Sequence, residues 1–172
     1  MLKILGAIMI IGGCGYAGLQ AGGRYRRRSE MLRSLQNGLT LLENEISYTS
    51  TPLPPALARA GEKIPFAAAV LFQEAARLLN SNQGHTAAEA WRVGIARLQE
   101  NAPTQAEETA VLEAFGQTLG CSAKREQLKH ITLAREQLLF IEQQALEARG
   151  KYEKMWQYLG FCMGAVIVLT IL

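Results

Sequence analysis

The sequence predicts an all-α fold in which two long helices enter a membrane and pack antiparallel, while shorter helices complete a cytoplasmic domain. Apolar runs close both ends of the 172-residue chain, and all charged residues except Lys3 lie between them. All 15 acidic residues are glutamate, which suits helix interiors, whereas aspartate prefers caps and turns. Apolar residues recur three and four positions apart without strand-like alternation, so the pattern indicates helices.

Two membrane-spanning segments are predicted, residues 1–23 and 155–172, with the helical domain at 24–154 between them. A helix needs roughly 20 apolar residues to cross the hydrocarbon core of a bilayer. Lys and Arg are enriched on the cytoplasmic side of such helices, so the domain should be cytoplasmic and both termini should lie on the opposite side. The residues expected at the membrane interface are Arg24, Arg26, Arg27, Arg28, Lys151, Lys154 and Trp156.

A membrane lipoprotein is the alternative interpretation of the N-terminus. The segment Ile11-Gly12-Gly13-Cys14 resembles a lipoprotein cleavage site, and Cys14 would then anchor a helical interaction domain through a lipid. The stronger basic cluster follows this apolar run, which opposes export of the domain. The second apolar segment would also need another explanation, so we favour a spanning helix.

The first helix is predicted to continue from the N-terminal span through Tyr48. Its apolar positions follow the alternating three- and four-residue spacing of a coiled-coil seam. They are Leu32, Leu35, Leu39, Leu42 and Ile46. Residues 49–55 contain Pro52, Pro54 and Pro55, and proline blocks helix interiors, so the helix should end there.

Shorter helices are predicted over residues 55–63, 65–80, 86–101 and 104–119. Thr86 with Glu89, and Thr104 with Glu107, match the capping-box pattern of a helix start. Gly120 is a natural C-terminal stop for the last of these helices.

One helix of close to 50 residues is predicted to run from about Ser122 into the second apolar segment. Its apolar stripe comprises Ile131, Ala134, Leu138, Ile141, Ala145, Ala148, Tyr152, Met155 and Leu159. The first and last helices enter the membrane in opposite directions, so the simplest packing is an antiparallel pair within the chain. The stripes could instead join the subunits of a homo-oligomer, because a seam does not identify its partner.

The sequence contains no catalytic or metal-binding motif of the GxxxxGK[ST], HExxH, GxSxG or CxxC type. His85 and His130 could act as general bases, yet neither has a partner nearby in sequence. We therefore expect a protein that is not an enzyme, with no catalytic residue, cofactor or metal. The net charge of +3 reflects the arginines beside the first span, so anionic lipids are a simpler partner than nucleic acid.

Residues 43–53 combine a charged helix end, an aromatic residue and a proline turn. As pure structure they are an ordinary helix terminus, and as a functional element they would be an exposed corner far from the membrane, placed to contact a partner; the sequence does not decide between the two interpretations. The candidate partner-binding residues in this corner are Glu43, Glu45, Tyr48, Thr51 and Pro52. Glu43 and Glu45 are two positions apart and so should point to different faces of the helix.

Several segments together resemble one known family. The chain begins Met-Leu-Lys-Ile-Leu-Gly, carries Glu-x-Glu-Ile-x-Tyr-x-x-Thr-Pro-Leu at 43–53 and has Phe-Gly-Gln-Thr-Leu-Gly at 115–120. It continues with Gln-x-x-His-Ile at 127–131 and Glu-Lys-Met-Trp-x-x-Leu-Gly-Phe at 153–161. In their order and spacing these segments resemble the stage III sporulation protein AB family of endospore-forming bacteria, over essentially the full length.

The resemblance implies a role in a secretion-like channel that links the mother cell and the forespore during engulfment. Members of this family are compared with the inner-membrane platform proteins of type II secretion and type IV pilus machines. By analogy, the chain would be a non-catalytic scaffold in the mother-cell membrane, which becomes the outer forespore membrane. Its partners would be other stage III sporulation proteins, including the cytoplasmic ATPase stage III sporulation protein AA. The resemblance carries over no catalytic residue.

Overall fold

The computed structural model describes residues 26–49, 51–81, 83–120 and 123–171, and for residues 66 and 148–171 it describes the backbone alone. Six helices and no strand occur among these residues, which confirms the predicted all-α class. Helix α1 is described over residues 26–47. The other helices are α2 (Leu53–Glu62), α3 (Phe66–Asn80), α4 (Ala87–Asn101), α5 (Ala106–Thr118) and α6 (Lys124–Ile171).

The chain divides into two compact units. Arg28–Gln143 forms one unit, and the residues before and after it belong to the other, of which the structure describes 26–27 and 144–171. No helix in the described part of the chain combines the length and apolar character needed to cross a membrane. The predicted span at 1–23 lies outside the described residues, and the predicted span at 155–172 is described only as backbone, to Ile171. Both spans stay predictions.

Helices α1 and α6 pack antiparallel within the Arg28–Gln143 unit. At the middle of α1, Gln36 Nε2 donates to Glu142 Oε2 of α6 at 2.8 Å. Further along α1, Arg135 Nη1 of α6 donates to Glu43 Oε2 at 3.0 Å. At the end of α1, Lys124 Nζ donates to the Ser47 carbonyl at 3.0 Å. The α6 partner therefore moves backward as α1 moves forward, and the two stripes meet inside one chain, as predicted.

The stripe residues of both helices are buried, as their spacing predicts. Leu32, Leu35, Leu39 and Leu42 of α1 are fully buried, and Ile46 is 6% exposed. In α6, the stripe residues whose side chains are described are likewise buried. They are Ile131, Ala134, Leu138, Ile141 and Ala145.

Trp91 of α4 lies at the centre of the packing between the shorter helices. Its ring makes edge contacts with Phe72 of α3, at a centroid distance of 5.4 Å, and with Phe115 of α5, at 5.3 Å. Its indole Nε1 donates to the Leu112 carbonyl at 2.9 Å, so the polar group of this fully buried side chain is satisfied. Trp91 thus joins α3, α4 and α5.

Glycine permits the close approach of α4 to α3. A Cβ atom on Gly94 would lie 2.6 Å from the backbone oxygen of Leu71, a distance that real Cβ atoms do not adopt. The two helices can pack at this spacing only because residue 94 lacks a side chain.

One predicted capping box is confirmed and one is wrong by a single residue. In α4, Glu89 N donates to Thr86 Oγ1 at 3.2 Å and Thr86 N donates to Glu89 Oε2 at 2.9 Å. In α5 the cap residue is Gln105, whose N–H donates to Glu108 Oε1 at 2.7 Å, rather than the predicted Thr104 with Glu107. Helix α5 ends as predicted, with Gly120 at a φ of 77°.

Candidate functional site

The turn between α1 and α2 carries the exposed aromatic residue of the predicted partner-binding set. We call this surface the α1–α2 corner, and it comprises residues 43–49 and 51–53. Tyr48, just past the end of α1, is 84% exposed. Pro52, which precedes α2, is also exposed, and Thr51 is half-buried. A large aromatic side chain that is exposed to this degree contributes little to the fold of its own chain.

Glu45 links the corner to α2 through an ion pair. Arg59 Nη1 of α2 donates to Glu45 Oε2 at 3.0 Å, and the hydroxyls of Thr51 and Thr49 lie 3.1 Å and 3.2 Å from the same oxygen. Desolvation acts to raise the pKa of Glu45, but the hydrogen bonds from Arg59, Thr51 and Thr49 outweigh it and hold that pKa below its ordinary value. The carboxylate is therefore ionised near neutral pH and bonded within the chain.

Glu43 faces the opposite neighbour. Its Oε2 accepts from Arg135 of α6 at 3.0 Å, and Thr132 Oγ1 lies 3.5 Å from its Oε1. The two glutamates thus point to α6 and to α2, as their two-residue spacing predicts. Both carboxylates are bonded to arginines of the same chain.

The predicted membrane-interface arginines separate into two kinds. Arg26 and Arg27 are exposed, whereas the side chain of Arg28 is only 10% exposed. Arg28 donates from Nε to Glu108 Oε1 at 3.0 Å and from Nη2 to Glu108 Oε2 at 2.7 Å. This differs from the interface role predicted for Arg28, because its guanidinium points into the helical body. Arg24 lies outside the described residues.

Four other candidates lie at the second predicted interface or at the N-terminus. Lys151, Lys154 and Trp156 belong to the part of α6 that is described as backbone alone. Cys14, the residue on which the lipoprotein alternative depends, lies outside the described residues.

The two histidines occupy separate places in the helical body. His85 is exposed in the turn before α4, with Nε2 3.2 Å from Gln83 Oε1. His130 is half-buried on α6. Among the described residues, no group of His, Cys or acidic side chains could hold a metal ion. Within the same residues every buried side-chain nitrogen or oxygen has a hydrogen-bond partner.

The ion pairs of Glu108 and Glu142, two buried carboxylates, and an exposed apolar pair on α6 were not predicted from the sequence. Glu142 is 5% exposed and accepts from Arg33 Nε at 2.5 Å as well as from Gln36. Its position beside Ile141 in the α6 stripe could have identified it. Leu133 and Phe140, 49% and 61% exposed, lie seven residues apart on α6, and that spacing places them on one face.

Comparison with known proteins identifies the family of the chain. The sequence profile of the family described as Stage III sporulation protein AB matches residues 3–172. The chain belongs to the stage III sporulation protein AB family. The resemblance found in the sequence segments is thereby confirmed.

Two individual proteins place this stage III sporulation protein AB member among its relatives. It is 32% identical to the Stage III sporulation protein AB of Bacillus subtilis (strain 168) over 172 residues, which covers all of both chains. It is also similar to a solved structure of Stage III sporulation protein AB, with a TM-score of 0.67 and 30% identity. That similarity covers 73% of this chain and 98% of the solved chain. The fold of the helical body is thus one that the family shares.

Proposed function

We propose that the chain is a non-catalytic membrane platform subunit of the secretion-like channel between mother cell and forespore. Its segments 1–23 and 155–172 would anchor it in the mother-cell membrane, and the helical domain at 24–154 would face the cytoplasm. Membership of the stage III sporulation protein AB family supports the role in sporulation. The apolar ends and the exposed Arg26 and Arg27 support the membrane attachment.

The α1–α2 corner is the proposed contact surface for the ATPase, stage III sporulation protein AA. The observation that carries this proposal is the exposure of Tyr48, 84%, on a turn that internal hydrogen bonds hold in place. Tyrosine is enriched among the residues that dominate binding energy at interfaces. A surface that is already ordered loses less conformational entropy when a partner binds. Tyr48 and Pro52 would touch the ATPase, and Glu43 and Glu45 would keep the corner in shape.

Distance along α1 suits this arrangement. Arg28 and Tyr48 are 20 residues apart, and an α-helix rises 1.5 Å per residue, so α1 extends about 30 Å between them. The corner is therefore at the end of α1 opposite Arg28.

The ionic contacts support a scaffold role for the domain. Glu108 is fully buried and is bonded to Arg28 of α1 and to the cap of α5. Glu142, also buried, is bonded to Arg33 and Gln36 of α1. These carboxylates join helices that are far apart in sequence. Such contacts make the domain rigid, as a scaffold requires.

The test of the partner contact is capture of the ATPase by the full-length chain in mild detergent. Tyr48→Ala should lower the amount of ATPase retained, because it removes the exposed aromatic contact. Val93→Ala is the matched control, since Val93 is a partly exposed apolar residue on α4, 43% exposed. Equal retention by wild type and Tyr48→Ala would count against the corner as the contact surface.

Membrane topology is tested by labelling a cysteine in intact cells. Ser81, exposed at the end of α3, is a suitable position for Ser81→Cys. A membrane-impermeant thiol reagent should label it only after the cells are opened, in a chain whose three native cysteines are replaced by serine. Labelling in intact cells would contradict the proposed cytoplasmic orientation of the domain and therefore the proposed platform role.

A further inference from the structure

The outer face of α6 carries most of the large apolar side chains that are exposed in the described part of the chain. Five such residues are exposed there, and three of them, Leu133, Leu139 and Phe140, lie within eight residues of α6. Leu139 is 44% exposed, beside the 49% of Leu133 and the 61% of Phe140. We call these three residues together with Glu136 the α6 patch. Exposed apolar residues that are scattered singly are normal, whereas a cluster of this kind marks an interaction surface.

The α6 patch is distinct from the side of α6 that contacts α1. Arg135 of α6 bonds to Glu43 of α1, and Glu142 of α6 bonds to the same helix. Leu133 lies two residues before Arg135, and Phe140 lies two residues before Glu142. Two residues turn a helix by about 200°, so Leu133 and Phe140 are directed away from α1. They are therefore not part of the α1–α2 corner.

Glu136 is the exposed carboxylate at the centre of the patch. Leu133 is three residues before it, and Leu139 and Phe140 are three and four residues after it, spacings at which side chains of a helix are neighbours. No basic residue occupies a position three or four residues from Glu136, and Glu136 forms no ion pair within the described residues. The exposed Lys129 is seven residues away, or about two turns, so it does not neutralise this carboxylate.

The position of Glu136 limits what can cover the patch. A partner that covers the three apolar side chains also removes water from the carboxylate between them. Burial of an ionised carboxylate without a counter-charge is costly, so the partner must bring a cation to this point. Lipid acyl chains and anionic headgroups supply no such cation, and nucleic acid repels a carboxylate. A protein segment with Lys or Arg among its apolar residues meets the requirement.

A second copy of the chain does not meet it. A symmetric dimer contact uses the same surface of both copies. If two α6 helices paired in parallel, the Glu136 side chains of the two copies would face each other. If they paired antiparallel with Leu133 against Phe140, the midpoint would fall between residues 136 and 137, and the same two carboxylates would again be adjacent. Both arrangements place like charges together within an apolar contact, which is unfavourable.

We propose that the α6 patch binds an amphipathic helix of a different protein, with two apolar residues seven positions apart and a Lys or Arg between them. Leu133 and Phe140 are separated by about 10.5 Å along α6, and a helix packed alongside repeats its side chains at the same interval. The apolar residues of that helix cover Leu133 and Phe140, and its cation pairs with Glu136. This surface is separate from the proposed ATPase contact at the α1–α2 corner.

Photo-crosslinking from the patch in intact sporulating cells tests the proposal. Gln137, exposed next to Glu136, is replaced by the photoreactive residue p-benzoylphenylalanine in the full-length chain. Irradiation should give a discrete product with another protein. Mass spectrometry of that product should place the cross-link in a segment that has the expected apolar spacing and a Lys or Arg between the apolar residues. The same photoreactive residue at Gln117, exposed on α5, is the matched control and should not give this product.

Substitutions within the patch test its chemistry. With the photoreactive residue at position 137, Glu136→Lys should lower the yield of the product by about 10-fold, because it sets two cations against each other. Phe140→Ser should also lower the yield, because it removes the most exposed apolar group of the patch. Tyr48→Ala, in the corner, should leave the yield unchanged. Circular dichroism of each purified chain checks that the helices are intact.

The identity of the product decides between the possible occupants. A product with the mass of two copies of this chain would assign the patch to self-association, and an adduct with phospholipid alone would assign it to a membrane surface. Either result would overturn the proposal, as would a cross-linked segment without Lys or Arg, or no product beyond that of the Gln117 control. A yield that Glu136→Lys leaves unchanged would overturn it as well.

The Tyr48→Ala variant separates this proposal from the ATPase contact. If Tyr48→Ala abolished the cross-linked product, the patch and the corner would act as one surface, and a separate docking site would be wrong. If Tyr48→Ala retained the ATPase in the detergent capture experiment while the cross-link still depended on Glu136, the corner would lose its proposed role and the α6 patch would keep its own.

Discussion

Arg28 at the start of α1 and Glu108 in the first turn of α5 form a buried, two-pronged ion pair across 80 residues of sequence. The two hydrogen bonds measure 3.0 Å and 2.7 Å, and Glu108 is fully buried. The same carboxylate accepts the N–H of Gln105 at 2.7 Å. One side chain therefore caps α5 and attaches it to α1.

Removal of Arg28 should destabilise the domain strongly. Arg28→Met leaves a buried carboxylate without its cation, and breaking such a pair typically costs about 3–5 kcal/mol. Thermal unfolding of the full-length chain in detergent, followed by circular dichroism, should show a clearly lower midpoint. The unfolding midpoint of Arg28→Lys should lie between those of wild type and Arg28→Met. Lysine keeps the positive charge, but an ammonium group cannot form the two parallel hydrogen bonds of a guanidinium.

The double variant is the control for this prediction. Arg28→Met with Glu108→Gln removes both charges, and the amide oxygen can still accept from Gln105. Its loss of stability should be smaller than the sum of the two single losses, because the two residues are coupled. Strictly additive effects would show that the pair is not a stabilising unit.

Arg28 illustrates what the sequence could and could not predict. A basic cluster after an apolar run predicts interfacial arginines, and Arg26 and Arg27 are indeed exposed. Arg28, however, is four residues before Leu32 and so continues the buried stripe of α1. That spacing could have indicated an inward side chain. Its partner was beyond prediction, because the packing of α5 against α1 depends on the whole fold.

Local rules predicted the helices well where one signal was dominant. The 3-4 spacing of α1 and α6 and the Thr86–Glu89 box of α4 rest on neighbours along the chain. The start of α5 was displaced by one residue, since the pattern requires Ser or Thr at the cap and so selects Thr104 with Glu107, whereas the structure uses Gln105 with Glu108. Arg28 favours this start, because it approaches within 2.7 Å of Glu108 and only within 3.9 Å of Glu107.

The α1–α2 corner was only partly predictable. Its position followed from the end of the α1 stripe and the prolines after it. The bonding of Glu45 to Arg59 could not be read from the sequence, because the sequence is compatible with several directions of α2 after the turn. The exposure of Tyr48 depends on the same geometry.

Gly94→Ala should destabilise the domain, although alanine usually favours a helix over glycine by about 1 kcal/mol. The new Cβ would lie 2.6 Å from the Leu71 carbonyl oxygen, so α3 and α4 would have to separate. Overpacking of this kind typically costs about 1–3 kcal/mol. Urea unfolding provides the measurement. A rise in stability would mean that the two helices are not in close contact at this position.

Trp91→Phe should lower stability by about 2–3 kcal/mol, because it shrinks a fully buried ring and removes the hydrogen bond to the Leu112 carbonyl. The near-ultraviolet circular dichroism of the aromatic cluster should weaken at the same time. Val93→Ala, two residues away on the partly exposed side of α4, should change stability by less than about 1 kcal/mol. Similar losses for both variants would contradict the central position of Trp91.

Protonation of Glu89 should remove part of the stability of the domain in acid. Hydrogen bonds from the backbone and hydroxyl of Thr86 hold the pKa of Glu89 below its ordinary value of 4.5. The folded state therefore binds fewer protons than the unfolded state, so this contribution is complete above the ordinary value and is lost as pH falls through the folded pKa.

Glu89→Gln isolates this effect, because glutamine can complete the same capping box without titrating. Urea unfolding midpoints of the two chains should differ most at pH 7, and the difference should shrink toward about pH 3. A difference that is constant over this range would show that the charge of Glu89 is not responsible.

Exchange of the charges of Glu45 and Arg59 should show whether ATPase binding depends on the shape of the corner or on the identity of these two residues. Glu45→Arg alone brings two guanidinium groups together and releases Thr49 and Thr51, so ATPase capture should fall although Tyr48 is intact. The double exchange, Glu45→Arg with Arg59→Glu, restores an opposite pair and should recover most of the binding. Glu74→Arg is the matched control, because it breaks a surface pair with Arg77, 2.6 Å in length, away from the corner. If Glu45→Arg captured the ATPase as well as Glu74→Arg does, an ordered corner would be unnecessary for binding.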